Sequence, residues 1–291
     1  MKTSSTILSH RVTYSTKIQN TSDNPLSGIR VFVAFPPPLP PRQELINLSS
    51  IPVSGRQATD LKGNHWLDLT CDRLAGKETF TCGYTALVRN RSIHYRLPQS
   101  TRNSSVPSSL VGYTKPENFI ESHHHLIKDL ARDLSSKNPN PIPFVKAAMR
   151  AVTKTIRYSP QKYERGAAFA IEKHVGDCTE FAALFTALCR AKGIPARLEA
   201  GFAYNRKKWE RHAWSVVWIQ DNWIPVDPTW YGNSGWLGVT NRHIPLIIGN
   251  WMDIRIHQEF KMTWSHKPQT TPPQLGSKWK VTKVVSILNS S

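Results

Sequence analysis

Cysteine is scarce: four in 291 residues cannot build a disulfide scaffold for a chain this long. No apolar run approaches the roughly 20 residues of a membrane-crossing helix. The opening segment carries Lys2, but Thr3 to Ser9 is short and polar, and His10 and Arg11 follow. That pattern lacks a secretory h-region, so the expected location is cytoplasmic. Acid is scarce too. Against 38 Lys and Arg stand 20 Asp and Glu, a formal net charge of +18. The excess is spread along the chain: residues 1–110 hold 13 basic and 6 acidic residues, the remainder 25 and 14. No acid follows Glu259, while Lys261, Lys267, Lys278, Lys280 and Lys283 do. Such a field attracts acidic polymers or substrates at low salt. No nucleic-acid reading motif accompanies it, so nucleic acid is not an expected partner and a solvated basic surface is the plainer reading.

What is present supports folding. The chain is 39% hydrophobic and has ten tryptophans, enough for one large domain or two ordinary ones. The first part reads as β. His10, Val12, Tyr14 and Thr16 alternate with Arg11, Thr13, Ser15 and Lys17. Ile29 to Phe35, Trp66 to Thr70 and Thr79 to Val88 are further strands, and Gly63 suits a positive φ in the polar turn Asp60 to Asn64. A β-sandwich over residues 1–110 is expected, with Tyr95 to Gly112 as a Ser- and Arg-rich linker. Cys71 and Cys82 could meet across a hairpin, or alternation could bury them as free thiols.

The period then changes. Phe119 to Leu134 reads as a helix, and Pro143, at a first-turn position, begins another through Ile156. Thr179 to Lys192 is the clearest helix: Phe181, Leu184, Phe185 and Leu188 recur on one face, and Gly193 stops it. Strands follow over Ala196 to Tyr204, Ala213 to Ile219 and Trp223 to Val226. Residues 111–267 are expected to form an α+β core, and 268–291 a basic tail or an additional strand from Trp279 to Ile287.

Three segments carry chemistry. Asp177 and Glu180 have the D-x-x-E spacing of a capped helix start, which puts Cys178 at the first helical position. Free amides and the positive helix end there favour a thiolate and could also hold an oxyanion. His212, opening an alternating strand, can accept and return a proton. Asp227, at the end of the next strand and before Pro228, can fix the histidine tautomer. Zinc ligation by the same three residues is the chemical alternative, but no fourth ligand stands in their segments. Neither a metal nor another cofactor is expected.

Together these segments resemble the transglutaminase-like superfamily, the papain-related fold that includes transglutaminases, microbial peptidases and peptide N-glycanases. The resemblance runs from Pro143 to Trp230. It rests on Tyr158, Gly176-Asp177-Cys178, Gly193-Ile194-Pro195-Ala196-Arg197, Gly201-Phe202, His212-Ala213-Trp214 and Trp223 followed by Val226-Asp227-Pro228-Thr229. It implies Cys178 as nucleophile, His212 as base and Asp227 as orienting acid. It also implies a nucleophile-bearing helix packed on an antiparallel sheet, after a β domain of the kind found in microbial members. The family often supplies an oxyanion donor from upstream of the nucleophile, for which Tyr158, Gln161 and Tyr163 are available. Tyr158 and Tyr163 could equally be core residues. Trp214 and Trp230 either line the acyl groove or pack around the site. The expected reaction is hydrolysis of a peptide or amide through a thioester, on a substrate that is acidic or derived from the cell envelope. Transfer to a primary amine and a noncatalytic binding module are the alternatives.

Overall fold

Strict alternation shapes the first strands. In the computed structural model, which describes residues 6–52, 55–95, 105–205, 207–249, 254–258, 261–265 and 279–290, β1 (Ile7–Asn20) buries His10, Val12, Tyr14, Thr16 and Ile18 and exposes Arg11 and Lys17. β2 (Leu26–Phe35), β3 (Gln43–Ile51), β4 (Arg56–Thr59), β5 (His65–Leu74) and β6 (Thr79–Arg91) follow. β1 pairs antiparallel with β6 and β6 with β3, while β2 pairs with β5 and β5 with β4. The apolar faces meet in one core that includes Val12, Tyr14, Val31, Leu67, Leu69, Tyr84 and Val88. Tyr14 and Tyr84, opposite each other in the ladder, stack with centroids 5.6 Å apart. The expected polar turn is built on Asp60, whose Oδ1 accepts the Lys62 and Asn64 amides at 2.9 Å each, with Gly63 at φ 84°.

The α+β region has β7 (Ile93–His94), α1 (His125–Lys137), α2 (Pro141–Thr155), β8 (Arg157–Tyr158), α3 (Gly166–Lys173), β9 (Val175–Gly176) and α4 (Cys178–Ala191). β10 (Ala196–Asn205), β11 (Lys208–Ile219), β12 (Asn222–Val226), α5 (Pro228–Tyr231) and β13 (Gly238–Val239) complete it. Two helix starts differ from the sequence expectation. Phe119 has φ 67°, which no α-helix can propagate, so turns occupy residues 117–124 and α1 begins at His125. α2 begins two residues early, with Pro141 rather than Pro143 in the first position. α4 is buried from Glu180 through Arg190, and Gly193, at φ 82°, ends it as expected. β11 and β12 form a hairpin in which Ser215 faces Val226.

The chain divides into two compact units that are discontinuous in sequence. One comprises 1–5, 92–200 and 211–240; the other comprises 6–91, 201–210 and 241–291. The β10–β11 hairpin thus contributes its base to the first and its tip to the second. Within the second unit β14 (His243–Ile248) runs beside the end of β10: the Tyr204 amide donates to Arg242 O, and a Cβ on Gly201 would lie 2.0 Å from Ile244 O. β15 (Ile254–Gln258) pairs with β2, β16 (Lys261–Ser265) with β15, and β17 (Trp279–Ser290) with β1. The two sheets of this unit are therefore ordered β17-β1-β6-β3 and β16-β15-β2-β5-β4. Residues 96–104 of the expected linker and 268–278 of the expected tail lie outside the described residues.

Candidate active site

Cys178 is placed by its two acidic neighbours. Asp177 is the N-cap of α4, with extended backbone. Its carboxylate accepts the Thr179 amide at 3.0 Å, the Thr179 hydroxyl at 2.8 Å and the Gln161 amide at 3.1 Å. Glu180 returns the contact, accepting the Asp177 amide at 2.9 Å and the Arg165 amide at 2.9 Å. The reciprocal capping box expected from the spacing is thus formed. Both carboxylates are spent on backbone amides, and Glu180 is fully buried. Gly176 belongs to the same device: a Cβ there would lie 2.3 Å from the Glu180 Cβ. Cys178 itself is half-buried, so a reagent can reach it. Cys189, near the far end of α4, is fully buried, and burial drives its thiol far above the ordinary range.

His212 and Asp227 meet across the β11–β12 hairpin. His212 Nε2 donates to Asp227 Oδ2 at 2.8 Å, and both side chains are buried. The other carboxylate oxygen caps α5, accepting the Thr229 amide at 3.0 Å and the Trp230 amide at 3.1 Å. Asp227 is therefore held by a helix start while it holds the imidazole. Burial works against a charge on His212. The Asp227 carboxylate, its hydrogen bond and the neighbouring Cys178 sulfur, which favours imidazolium, outweigh that penalty and raise the imidazole to about 10. The structure thus joins the His212 ring and the Asp227 carboxylate by a buried hydrogen bond, with the Cys178 sulfur near enough to favour the charged imidazole.

The remaining sequence candidates separate. Trp230 stacks on the His212 ring, with centroids 4.2 Å apart and planes 13° from parallel. Trp214 is fully buried among Val216, Val239 and Trp223, with its indole N–H donating to Glu199 at 3.1 Å. Tyr158 is 54% exposed and so is not a core residue; β8 sets it opposite Gly176 on β9, with its ring 6.1 Å from Phe181. Gln161 uses its backbone amide on Asp177, and its side-chain amide donates to Ser159 O at 2.9 Å. Tyr163 is half-buried beneath the Lys162 ammonium, 5.2 Å from the ring centre.

Other supporting residues left little trace in the sequence. Thr186 on α4 and Ser215 on β11 share a hydrogen bond of 2.9 Å, and Ser215 donates on to Ala182 O at 3.0 Å. This polar link fixes the nucleophile's helix against the histidine's strand; the only sign of it was a serine inside an apolar run. Arg190 is buried and donates to Ala196 O, Lys115 O and Glu117 at 2.7–2.8 Å. It ties the end of α4 to the start of β10. Its periodic position inside a helix gave no hint of those partners.

Comparison with known proteins bears on the fold. Residues 128–228 match the transglutaminase-like superfamily core. No curated protein sequence matches the chain. Among solved structures, a candidate cysteine protease from Cytophaga hutchinsonii is similar over 100% of this chain and 93% of its own, at 17% identity and a TM-score of 0.68. The periplasmic domain of TgpA from Pseudomonas aeruginosa matches over 77% of this chain and 90% of its own, at 16% identity and a TM-score of 0.41. A candidate protease from Parabacteroides distasonis matches over 80% of this chain and 47% of its own, at 12% identity and a TM-score of 0.34. The cytoplasmic expectation is corrected here, since one of these similar proteins is by its own description periplasmic. No described helix is long and apolar enough to cross a membrane, but that feature does not assign a compartment.

Proposed function

We propose, from a core with the transglutaminase-like superfamily fold preceded by a β-rich region, that this chain is a cysteine-dependent amide or peptide hydrolase. The superfamily is consistent with cysteine-type hydrolases and acyltransferases. One observation carries the finer reading: a buried His212–Asp227 hydrogen bond, with the Cys178 sulfur, at the capped start of α4, near enough to favour the charged imidazole.

In this reading the Cys178 thiolate attacks the carbonyl carbon of the substrate. The amides at the start of α4 support the developing oxyanion. With Nε2 engaged by Asp227, Nδ1 is the nitrogen that serves the sulfur and the leaving group. Imidazolium gives its proton to the departing amine, leaving a thioester on Cys178. Neutral His212 then takes a proton from water, which attacks the thioester and releases the carboxylic acid. Trp230, stacked on the ring, keeps the imidazole in plane with Asp227. The substrate is a peptide or protein, and the net charge of +18 favours acidic ones.

The test is mass-spectrometric profiling of defined peptides, with and without an added primary amine. The expected result is new carboxyl ends that vanish in Cys178→Ala. Products that mainly carry the amine would assign acyl transfer instead. Turnover that survives Cys178→Ala would remove the thiol mechanism altogether.

A further inference from the structure

Two of the four cysteines take no part in the chemistry above, and both point into the same core. On β5 the inward positions run Leu67, Leu69, Cys71; on β6 they run Phe80, Cys82, Tyr84. β5 belongs to one sheet and β6 to the other. Cys82 sits within the shared apolar cluster, and Cys71 packs against that cluster. Cys71 stands three residues before the end of β5 at Leu74 and Cys82 three residues after the start of β6 at Thr79, so the connection sets them at matching heights on strands that share this core. The connection between their strands is short and internally bonded: the Ala75 amide donates to Glu78, and the Glu78 amide to Ala75 O.

We propose that Cys71 and Cys82 form an inter-sheet dithiol that closes to a disulfide by exchange with a small-molecule disulfide. The two sulfurs differ in the way a relay requires. Cys71 is half-buried and reachable; its thiol is held only by a weak hydrogen bond to Arg73 O at 3.3 Å. Cys82 is fully buried. In the first step the Cys71 thiolate attacks the external disulfide, forming a mixed disulfide and expelling one small thiolate. In the second, Cys82 loses its proton to solvent and attacks the Cys71 sulfur, expelling the other small thiolate. Two protein thiols are oxidised, and one external disulfide is reduced to two thiols. Burial pushes Cys82 up to about 12, so the second step is the slow one and quickens as pH rises.

The full-length protein is equilibrated at about pH 8 with oxidised and reduced glutathione over a series of ratios. Free thiols are then blocked under denaturing conditions, and the unreduced digest is mapped. The expected product is a linked peptide pair containing Cys71 and Cys82, lighter than its parts by two hydrogens. It is absent from Cys71→Ser and from Cys82→Ala. Oxidation should raise the melting temperature of the parent by on the order of 5 °C and leave both variants unmoved. Recovery of both cysteines as blocked thiols at every ratio would overturn the proposal. So would a mixed disulfide on Cys71 that never yields the link, even at about pH 9.

Discussion

At the scale of single residues, the candidate site depends on how a few polar atoms are shared. Asp227 gives one oxygen to α5 and the other to His212, and Asp177 and Glu180 spend theirs on amides around the nucleophile. The residue types and their order were legible because capping and cysteine–histidine chemistry both need short, characteristic strings. The stacking of Trp230, on α5, against His212 and the Glu199 partner of Trp214 were not legible, since a helix-to-strand contact depends on packing and a cross-strand one on register, neither on spacing. One consequence is a pH dependence of stability. His212 is raised to about 10 in the folded protein from an ordinary value of 6.5. Its contribution is fully present below about pH 6.5 and is lost as pH rises through about 10. Urea unfolding of the parent and of His212→Gln should therefore give stabilities that converge between those limits. Parallel curves across that range would deny His212 a charged, paired state.

At the scale of elements, α4 is the best-specified piece. The sequence signalled its start, its stop and its buried face. α1 was misread because its apolar pattern continues upstream through residues whose backbone turns away at Phe119. Gly176 shows how tightly the nucleophile's turn is packed. Gly176→Ala would push a methyl group to 2.3 Å from the Glu180 Cβ, and the only relief is to displace the capping glutamate. The expected cost is about 2 kcal/mol in urea unfolding, from overpacking plus a weakened cap. Unchanged stability would show that the cap tolerates the methyl group and that Glu180 is not held as described.

At the scale of the whole molecule, strand pattern was legible but strand partnership was not. Alternation identified β1 and β2, yet nothing local says that β1 pairs with β17 or β2 with β15, because those partners lie more than two hundred residues away. The β-rich unit is correspondingly discontinuous and includes residues 241–291. A fragment of residues 1–110 lacks the partners that flank β1 and β2, leaving two long strands with unpaired edges. It should give little cooperative unfolding and tend to aggregate, as followed by circular dichroism and light scattering. A monomeric fragment with a sharp thermal transition would show that the first six strands suffice.

The central claim is that Cys178 works with His212 and Asp227 as one unit. The most direct measurement is the rate of Cys178 alkylation by iodoacetamide as a function of pH, with the modified residue confirmed by peptide mapping. The parent, His212→Ala and Asp227→Asn are compared under identical conditions. The account predicts rapid alkylation of the parent at about pH 6, a loss of roughly tenfold or more in His212→Ala, and an intermediate profile in Asp227→Asn. Three superimposable profiles from three folded proteins would contradict it.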